Sequence, residues 1–402
     1  MNDAPINLGV IGLGRAFTLM LPTLMQDPRI RLVAATDPRS EACRQFVQDF
    51  AARSYDSAEG VCGDADVEAV YIASPHQLHA EHAQIAARSG RHVLVEKPMA
   101  ISIAECLAMV ETAEKAGTHV IVGHSHSFDA PIIKTHDIIA SGAHGRLGMI
   151  NALQFTDFMY RPRRPEELVT ADGGGVIFSQ GAHQIDIVRL LAGGMARSVR
   201  AGTGIWDPTR PAEGAYSAHL TFENGVFASL TYSGFAHFDS DELMEWIGEG
   251  GQRKDPTAYW TARQTLANAA TAAEEAALKA SRNYGGAGYS VQKSADQGRA
   301  TLNQHFGFLI ASCANADLRP MADRVIVYSD KNKSVVPVPP STVPRKEVVD
   351  ELWSVVREGK APLHSGRWGL ATLEVCLAII RSANEGRELR LDHQIAVPEG
   401  GH

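Results

Sequence analysis

The stretch NLGVIGLGRAFTLMLPTLMQDPRIRLVAATD, residues 7–37, determines how the N-terminal part of the chain folds. Leu8–Ile11 is a short apolar run typical of a buried parallel strand, and Gly12 and Gly14 then permit a tight turn. The following residues favour a helix whose positive end would face an anion at that turn. A second apolar run ends at Asp37, where a carboxylate can accept the ribose hydroxyls of a dinucleotide. Although Phe17 replaces the third glycine of the usual fingerprint, the order of these parts predicts a dinucleotide site rather than an ordinary βαβ unit.

Strands and helices continue to alternate after Asp37. This alternation predicts a Rossmann-type α/β domain, in which helices cover both faces of a doubly wound parallel sheet. The predicted strands are Ala69–Ala73, His92–Glu96 and Val120–Val122, and the predicted helices are Ser40–Arg53, Ala80–Ser89 and Ser102–Ala116.

Polar residues follow the carboxyl ends of these strands, where open parallel sheets bind their ligands. Lys97 follows one strand directly, and its ammonium group could polarise a substrate hydroxyl as hydride leaves; the alternative is a surface lysine paired with Glu96. Arg39 could accommodate a 2′-phosphate, so the sequence predicts NAD and leaves NADP open. The predicted cofactor-binding residues are Gly12, Gly14, Arg15, Ala16, Phe17, Asp37, Arg39, Ser74, Pro75, His79, Glu96, Lys97 and Pro98.

The pattern changes after Gly123 to that of an α+β domain with a mainly antiparallel sheet. Asn224-Gly225 between two apolar runs predicts a hairpin. Thr257–Ser281 favours helix by its Ala and Glu content, and the glycines of residues 285–288 suggest a mobile loop. Predicted strands are Met149–Phe158, Ala215–Phe222, Val226–Tyr232 and Arg324–Tyr328, and Leu370–Ser382 is an apolar helix. We therefore expect a cofactor domain at residues 1–125, a substrate and oligomerisation domain at 126–364, and a C-terminal helix within 365–402.

A second group of chemically useful residues lies between Asp172 and Asp186. Three consecutive glycines, residues 173–175, would let the backbone approach a ligand, and a helix-like stretch follows them. His183 and Asp186 are three residues apart, so Asp186 could orient the imidazole. His183 is thus a candidate to accept an alcohol proton; the alternative is a buried histidine bonded to a carbonyl.

Three arginines lie within four residues at Arg161-Pro-Arg163-Arg164. Two prolines stiffen this loop, and guanidinium groups bind carboxylates bidentately, so the loop predicts a site for a carboxylated substrate. The alternative is a solvated charge cluster neutralised by Glu166 and Glu167.

These motifs together resemble the glucose–fructose oxidoreductase, inositol dehydrogenase and rhizopine-catabolism (Gfo/Idh/MocA) family of oxidoreductases. The resemblance rests on the Gly12-x-Gly14 turn, on Glu96-Lys97-Pro98, on the three glycines followed by Gly181-x-His183-x-x-Asp186, and on the late helix. It implies a nicotinamide enzyme in which Lys97 and His183 are catalytic, and a late helix that packs back toward the first domain.

The chain departs from that family on the sugar side of the pocket. Ser179 replaces the usual aspartate, His124-Ser125-His126 replaces a tyrosine-asparagine-arginine type sequence, and His76 replaces an asparagine. With the arginine loop, these changes make the chain similar to the phthalate cis-4,5-dihydrodiol dehydrogenases, and they imply an aromatic dicarboxylate substrate oxidised toward 4,5-dihydroxyphthalate. The predicted substrate-binding residues are His124, His126, Arg161, Arg163, Arg164, Ser179 and His183.

Other functions remain open at this point. A sugar or inositol dehydrogenase would use the same machinery, a nicotinamide-dependent glycosidase would show no net cofactor reduction, and a non-catalytic sensor would bind NAD alone. The histidines at positions 76, 79, 82, 124 and 126 suggest a metal site, but carboxylate or thiolate ligands at suitable spacing are missing, so none is predicted.

Composition narrows the remaining choices. The 402 residues carry a formal net charge of −8, which argues against nucleic acid and anionic membranes as partners. Five scattered cysteines indicate a reducing compartment, and neither a signal peptide nor a membrane-length apolar run is evident. We expect a cytoplasmic homodimer or homotetramer that acts on a small molecule.

Overall fold

A computed structural model describes residues 4–258, 261–289 and 302–398. These residues form two compact units. Of the described residues, the first contains 4–124, 276–289 and 342–370, and the second contains 125–258, 261–275, 302–341 and 371–398. The first boundary lies one residue from the predicted one. The two later segments of the first unit depart from the predicted division, because residues 276–289 and 342–370 cluster with the N-terminal sheet although they follow parts of the second unit in sequence.

The strands and helices alternate through residue 122, and strands predominate in the second unit. The helices are α1 (Arg15–Gln26), α2 (Ser40–Phe50), α3 (Ala58–Gly63), α4 (His79–Arg88), α5 (Ile103–Ala116), α6 (Ala130–Ala140), α7 (Ala182–Leu191), α8 (Thr261–Ala267), α9 (Ala272–Ala280), α10 (Lys346–Glu358) and α11 (Gly366–Glu385). The strands are β1 (Ile6–Ile11), β2 (Ile30–Thr36), β3 (Arg53–Ser54), β4 (Ala69–Ile72), β5 (His92–Val95), β6 (Val120–Val122), β7 (Leu147–Phe155), β8 (Ala196–Gly204), β9 (Ala215–Phe222), β10 (Phe227–Ser233), β11 (Phe308–Cys313), β12 (Ala316–Met321), β13 (Arg324–Ser329), β14 (Lys333–Pro337) and β15 (Leu389–Arg390).

The sheet of the first unit is parallel throughout, in the order β3-β2-β1-β4-β5-β6. Strand order reverses between β1 and β4, so the carboxyl ends of these strands are where a doubly wound sheet binds its ligand. The four residues of β4 are all buried, as expected for a strand with helices on both faces. The predicted Rossmann fold is confirmed.

Local signals explain the helix ends of this unit. Ser102 caps α5 by accepting a hydrogen bond from the backbone of Glu105 at 3.3 Å, and the carboxylate of Glu105 accepts one from the backbone of Ile101 at 3.1 Å. These two bonds satisfy backbone N–H groups at the start of the helix. Gly117 ends the helix in the left-handed conformation, with φ of 68°.

The second unit contains a nine-stranded sheet, in the order β14-β13-β12-β11-β7-β10-β9-β8-β15. Only β7 and β10 pair in parallel among these neighbours, so the predicted mainly antiparallel sheet is confirmed. Asn224-Gly225 forms the predicted hairpin between β9 and β10; Gly225 has φ of 82°, and the Asn224 side chain accepts a hydrogen bond from Val226. Every residue of α7 is buried.

Two predicted segments differ in detail. The predicted helix at Thr257–Ser281 is two shorter helices, α8 and α9, and residues 259–260 lie outside the described part. Residues 285–288, predicted as a mobile loop, follow Tyr284, whose side chain is fully buried, and Gly285 lies against Ala42 of α2. The late helix begins at Gly366, four residues earlier than predicted. Its first residues cluster with the first unit, while residues 371–398 cluster with the second.

None of the described helices combines the length and the apolar character that crossing a bilayer requires.

Candidate active site

The glycine turn after β1 brings two strands of the first unit into close contact. Gly12 has φ of 93°, and a Cβ atom there would lie 2.7 Å from the backbone nitrogen of Ser74, just after β4. A Cβ atom on Gly14 would have no neighbour closer than the carbonyl oxygen of Ala73 at 3.9 Å. Gly12 is therefore required by the fold itself, whereas the space beside Gly14 is left for a ligand.

The N-terminus of α1 has the properties of an anion site. No side chain caps the helix and no acidic residue occupies its first turn, so its free amides and positive dipole end remain available. Arg15 is the first helical residue, and burial together with the charges of Arg282 and Arg345 lowers its pKa to about 10. A diphosphate would relieve this accumulation of positive charge. These residues fit the pyrophosphate of a dinucleotide.

Asp37 lies at the end of β2, as predicted, but its carboxylate already has protein partners. It accepts hydrogen bonds from the backbone nitrogens of Leu13 (2.7 Å) and Arg39 (2.9 Å), and Arg39 Nε donates to it at 2.9 Å. Asp37 thus fixes the chain entering α2, whose N-cap position is that of Arg39. Asp37 keeps a negative charge where the ribose of a dinucleotide is expected.

His79 holds two strand-end loops together. Its side chain is fully buried; Nδ1 lies 2.9 Å from the carbonyl oxygen of Pro98, and Nε2 lies 2.9 Å from that of Ser74. Burial lowers the pKa of this imidazole to about 4. The structure therefore places His79 beneath the predicted cofactor-binding residues Ser74, Pro75 and Pro98, where it supports them.

Glu96 and Lys97 follow β5, as predicted. The hydroxyl of Tyr71 donates a hydrogen bond to Glu96 at 2.6 Å, and burial raises the pKa of the Glu96 carboxyl against the opposing effects of this bond and of Lys97. Glu96 therefore has a partner in the sheet itself. Lys97 occupies the strand-end position from which ligands are contacted.

In the second unit, the structure brings His126 and His183 together with Phe306; we call these three residues the histidine cluster. The two imidazole rings are 4.7 Å apart in an edge-to-face arrangement, and the Phe306 ring lies 5.1 Å from His126 and 5.0 Å from His183. Both histidines are nearly fully buried. The side chains come from three separate segments of the chain.

His126 is held between two carboxylates. Its Nδ1 lies 2.6 Å from Asp129 and its Nε2 lies 3.4 Å from Glu249. Burial would lower its pKa, but Asp129 and Glu249 outweigh burial and raise the pKa to about 9. The two carboxylates therefore favour the protonated form of His126, and each of its ring nitrogens faces one of them. With the preceding His124, this histidine and Asp129 also place potential metal-ligand atoms within 4.8 Å of one another, although no metal was predicted.

The sequence suggested that Asp186 orients His183, and the structure shows Asp186 bonded to Ser127 and Thr372. One carboxylate oxygen accepts a hydrogen bond from Ser127, and the other accepts one from Thr372 at 2.8 Å. Arg189, one turn later on α7, donates to the same Thr372 at 2.8 Å. Asp186 thus connects α7 with its neighbours, and its orienting of His183 stays a prediction.

Two of the three glycines before α7 are required by close packing of the backbone. A Cβ atom on Gly174 would lie 2.6 Å from the carbonyl oxygen of Glu167, and one on Gly175 would lie 3.0 Å from that of Glu213. The turn that follows, Ile177–Gly181, is a π-helix, a form often found at functional sites. The Ser179 hydroxyl in this turn donates to the carbonyl of Gly175 at 2.5 Å.

The arginines of the loop have different environments. Arg164 lies 3.2 Å from Glu166 and 3.6 Å from Glu167, so the loop's own acids neutralise it. Arg163 stacks on the ring of Phe158, with its guanidinium carbon 3.6 Å from the ring centre. Its pKa is lowered to about 10, chiefly by burial.

The Arg161 side chain is about 40% exposed, and its Nε lies 3.8 Å from the carboxylate of Asp157. Burial lowers the pKa of Arg161, but nearby charges outweigh burial and raise the pKa, and Glu249 has the largest effect among them. The same Glu249 contacts His126. Arg161 and the histidine cluster therefore share one electrostatic environment. Arg161 and Arg163 remain as candidates to bind a carboxylate.

Sequence reasoning missed Tyr232, Glu249 and Phe306. Tyr232 stacks on Phe306 at 6.3 Å, and its hydroxyl lies 3.0 Å from that of Thr156. Glycines at positions 248, 250 and 251 surround Glu249, and they were the one signal that could have indicated a functional loop.

Comparisons with known proteins agree with this geometry. Residues 6–124 match the oxidoreductase family with an NAD-binding Rossmann fold, and residues 132–253 match the GFO/IDH/MocA C-terminal domain. The chain is 45% identical, over 93% of its length and 94% of the relative's, to 1-carboxy-3-chloro-3,4-dihydroxycyclohexa-1,5-diene dehydrogenase of Comamonas testosteroni.

Solved structures show the same fold. A putative dehydrogenase from Bordetella bronchiseptica RB50 has a TM-score of 0.89 and 38% identity, covering 96% of this chain and all of the other. An oxidoreductase from Agrobacterium radiobacter, in complex with NAD+, L-tartaric acid and magnesium, has a TM-score of 0.70 at 16% identity, covering 96% of this chain and 98% of the other. At that identity the likeness concerns the fold alone.

The two matched domains define a nicotinamide-dependent oxidoreductase. The chain belongs to the GFO/IDH/MocA oxidoreductase family, as its motifs indicated, and it is an NAD-dependent dehydrogenase. The turn at Gly12–Gly14, the N-terminus of α1 and Asp37 would hold the cofactor, which supplies a hydride acceptor when bound.

Proposed function

We propose that this protein dehydrogenates carboxylated cyclohexadiene cis-diols, with a phthalate cis-4,5-dihydrodiol as the substrate and 4,5-dihydroxyphthalate as the product. The family assignment gives the class of reaction, whereas this proposal names the substrate. Two observations within the second unit carry it. Arg161 and Arg163 flank the ring of Phe158, with their guanidinium carbons 5.4 and 3.6 Å from its centre, and Tyr232 stacks on Phe306 of the histidine cluster.

The chemistry of this grouping fits a flat, anionic ring. Guanidinium groups bind carboxylates through paired, charge-assisted hydrogen bonds. Phe306 and Tyr232 offer aromatic surface against which a ring could stack. The relative from Comamonas testosteroni is named for a ring of this type, which carries one carboxylate and two hydroxyls.

In the proposed reaction, a carbinol C–H bond of the diol would break, and NAD+, held by the glycine turn, the N-terminus of α1 and Asp37, would supply the hydride acceptor. His183 would accept the proton of the hydroxyl on the same carbon. The role predicted for Lys97 is to polarise a substrate hydroxyl. The resulting enone tautomerises to a catechol, so the overall change is loss of one hydride and one proton.

A substrate panel tests the proposal through the near-ultraviolet absorbance of NADH. Purified protein and NAD+ would be mixed separately with phthalate cis-4,5-dihydrodiol, a monocarboxylated cis-dihydrodiol, the carboxylate-free benzene cis-dihydrodiol, myo-inositol and hexoses. We expect turnover with the carboxylated diols, and the highest kcat/KM with the dicarboxylate.

Each other outcome has a definite meaning. A preference for the monocarboxylate would keep the diol chemistry and reject the phthalate assignment. Turnover of benzene cis-dihydrodiol with equal kcat/KM would exclude a carboxylate pocket. Reduction with only inositol or a hexose would restore the sugar dehydrogenase alternative, and no reduction despite bound NADH would favour the glycosidase or sensor functions.

A further inference from the structure

Residues 281–289 form a segment that neither matched domain explains. The family matches end at residue 253, and this segment follows the short helices α8 and α9. It nevertheless clusters with the first unit, which carries the dinucleotide turn. We call residues 281–289 the tyrosine strap, after its central residue Tyr284.

Tyr284 anchors the strap in the first unit. Its ring lies 5.3 Å from that of Phe17 in α1 and 6.4 Å from that of Phe46 in α2, and its side chain is fully buried. Its hydroxyl donates a hydrogen bond to Asp49 at 2.6 Å. The apolar burial and this charge-assisted bond together fix the position of the strap.

The next residue restricts the backbone further. Gly285 has φ of 70°, and a Cβ atom there would lie 3.3 Å from the Cα atom of Ala42. A side chain at this position would meet both conformational strain and the α2 backbone. The peptide between Tyr284 and Gly285 is therefore held closely against α2.

The carbonyl of that peptide binds Arg39. Nη1 of Arg39 donates to the Tyr284 carbonyl at 2.9 Å, and Nη2 donates to the Leu13 carbonyl at 2.7 Å. Nε donates to Asp37 at 2.9 Å, and Nη2 also contacts this carboxylate at 3.2 Å. The strap, the glycine turn and the end of β2 thus each provide an acceptor for the one guanidinium group.

This arrangement bears on the choice between NAD and NADP. An arginine near the end of the second strand accommodates a 2′-phosphate when its donors can turn toward that group. Here Arg39 directs its donors at internal acceptors, and Asp37 places a negative charge where the 2′-phosphate would lie. NADP would have to release Arg39 and tolerate this carboxylate.

We infer that the tyrosine strap is a cofactor-specificity element, which selects NAD over NADP by holding Arg39 against Asp37. Its site is the adenosine ribose end of the dinucleotide. The inference requires the family's NAD binding but does not depend on which alcohol is oxidised.

Fluorescence titrations with NADH and NADPH test this inference without any alcohol substrate. Wild type should bind NADH more tightly. Tyr284→Ala should release Arg39 and reduce the NADH-to-NADPH affinity ratio by roughly tenfold, the factor expected when one hydrogen bond to a charged group is lost. Tyr284→Phe keeps the buried ring and removes only the hydrogen bond to Asp49; as the conservative control it should lower the ratio less than Tyr284→Ala does.

A double-mutant cycle with Arg39→Ala separates this action from general destabilisation. If the strap acts through Arg39, then Tyr284→Ala should not change the ratio further in an Arg39→Ala background. Gly285→Ala offers a second route should Tyr284→Ala fail to fold, because it displaces the same carbonyl while keeping the aromatic anchor.

Two results would overturn the inference. One is wild-type protein that binds NADPH as tightly as NADH. The other is a folded strap variant, Tyr284→Ala or Gly285→Ala, whose affinities for both cofactors fall equally, which would indicate a structural role only.

Discussion

The glycine turn of the first unit and the histidine cluster of the second were both proposed from short motifs, but they are built differently. The turn is a local structure, in which backbone geometry at Gly12 and the dipole of α1 create the binding surface within one continuous stretch. The histidine cluster instead assembles side chains from residues 126, 183 and 306.

The difference shows which functional properties can be predicted from a short sequence motif and which depend on distant residues. A dinucleotide turn needs small residues at set positions, and this requirement is visible in the sequence. The charge of His126 depends on Asp129 and also on Glu249, which is distant in the chain. The chemistry of the second site is therefore a property of packing, and mutations should separate these two kinds of site.

The largest effect is expected at the hydride-transfer residues. Lys97→Met and His183→Asn should each reduce kcat by about 10²–10⁴, because each removes a group that moves or stabilises a proton in the transition state. NADH affinity, measured by fluorescence titration, should change little in His183→Asn. Near-native rates in both variants would show that other residues carry out catalysis.

Gly12 and Gly14 provide a matched pair in the local site. Gly12→Ala should destabilise the protein by at least ~2 kcal/mol in denaturant unfolding, since alanine is strained at positive φ and its Cβ atom meets the Ser74 backbone. Gly14→Ala should unfold like wild type but bind NADH more weakly, because its Cβ atom occupies ligand space. Equal stability losses in both variants would contradict this distinction.

The arginine loop should affect substrate affinity selectively. Arg161→Ala and Arg163→Ala should each raise KM for a carboxylated diol roughly tenfold, the size of one charge-assisted hydrogen bond. Arg164→Ala is the control, because Glu166 and Glu167 already neutralise Arg164. Steady-state kinetics that showed the largest KM increase in Arg164→Ala would reverse the assignment of the loop.

The smallest effect concerns the pH dependence of stability. The pKa of His126 is raised to about 9 in the folded protein, above the ordinary histidine value, so its ion pairs stabilise the protein fully below about pH 6.5. This contribution should be lost as pH rises through 9. Thermal unfolding across this range should therefore show a steeper decline for wild type than for His126→Gln; parallel curves would mean that His126 is neutral.

Prediction from sequence succeeded where a structural requirement acts over a few residues. The βαβ order and the hairpin at Asn224-Gly225 follow from local periodicity and turn chemistry, and both are present. The break between α8 and α9 was missed because helix propensity favours Ala-rich sequence throughout. There the buried pairing of Glu275 with Arg210, at 2.8 Å, holds α9 in place.

The site residues likewise fall into those that a local pattern indicated and those that it did not. Gly12, Asp37, Lys97 and His183 occupy recognisable positions relative to strands or glycines, so the sequence indicated them. Glu249 and Tyr284 act on residues more than 100 positions away, and no local pattern relates them to those partners.

The amino-acid sequence by itself determined the two-domain class, the NAD-binding family and the chemical groups available for hydride transfer, because each depends on local backbone geometry or on residue type. Only the tertiary structure decided which of these groups are charged, buried or already bonded. His126 is a cation, His79 supports loops, and Arg39 is held by Asp37 and the strap, since charge state and hydrogen-bond partners depend on atoms that folding brings together from distant parts of the chain.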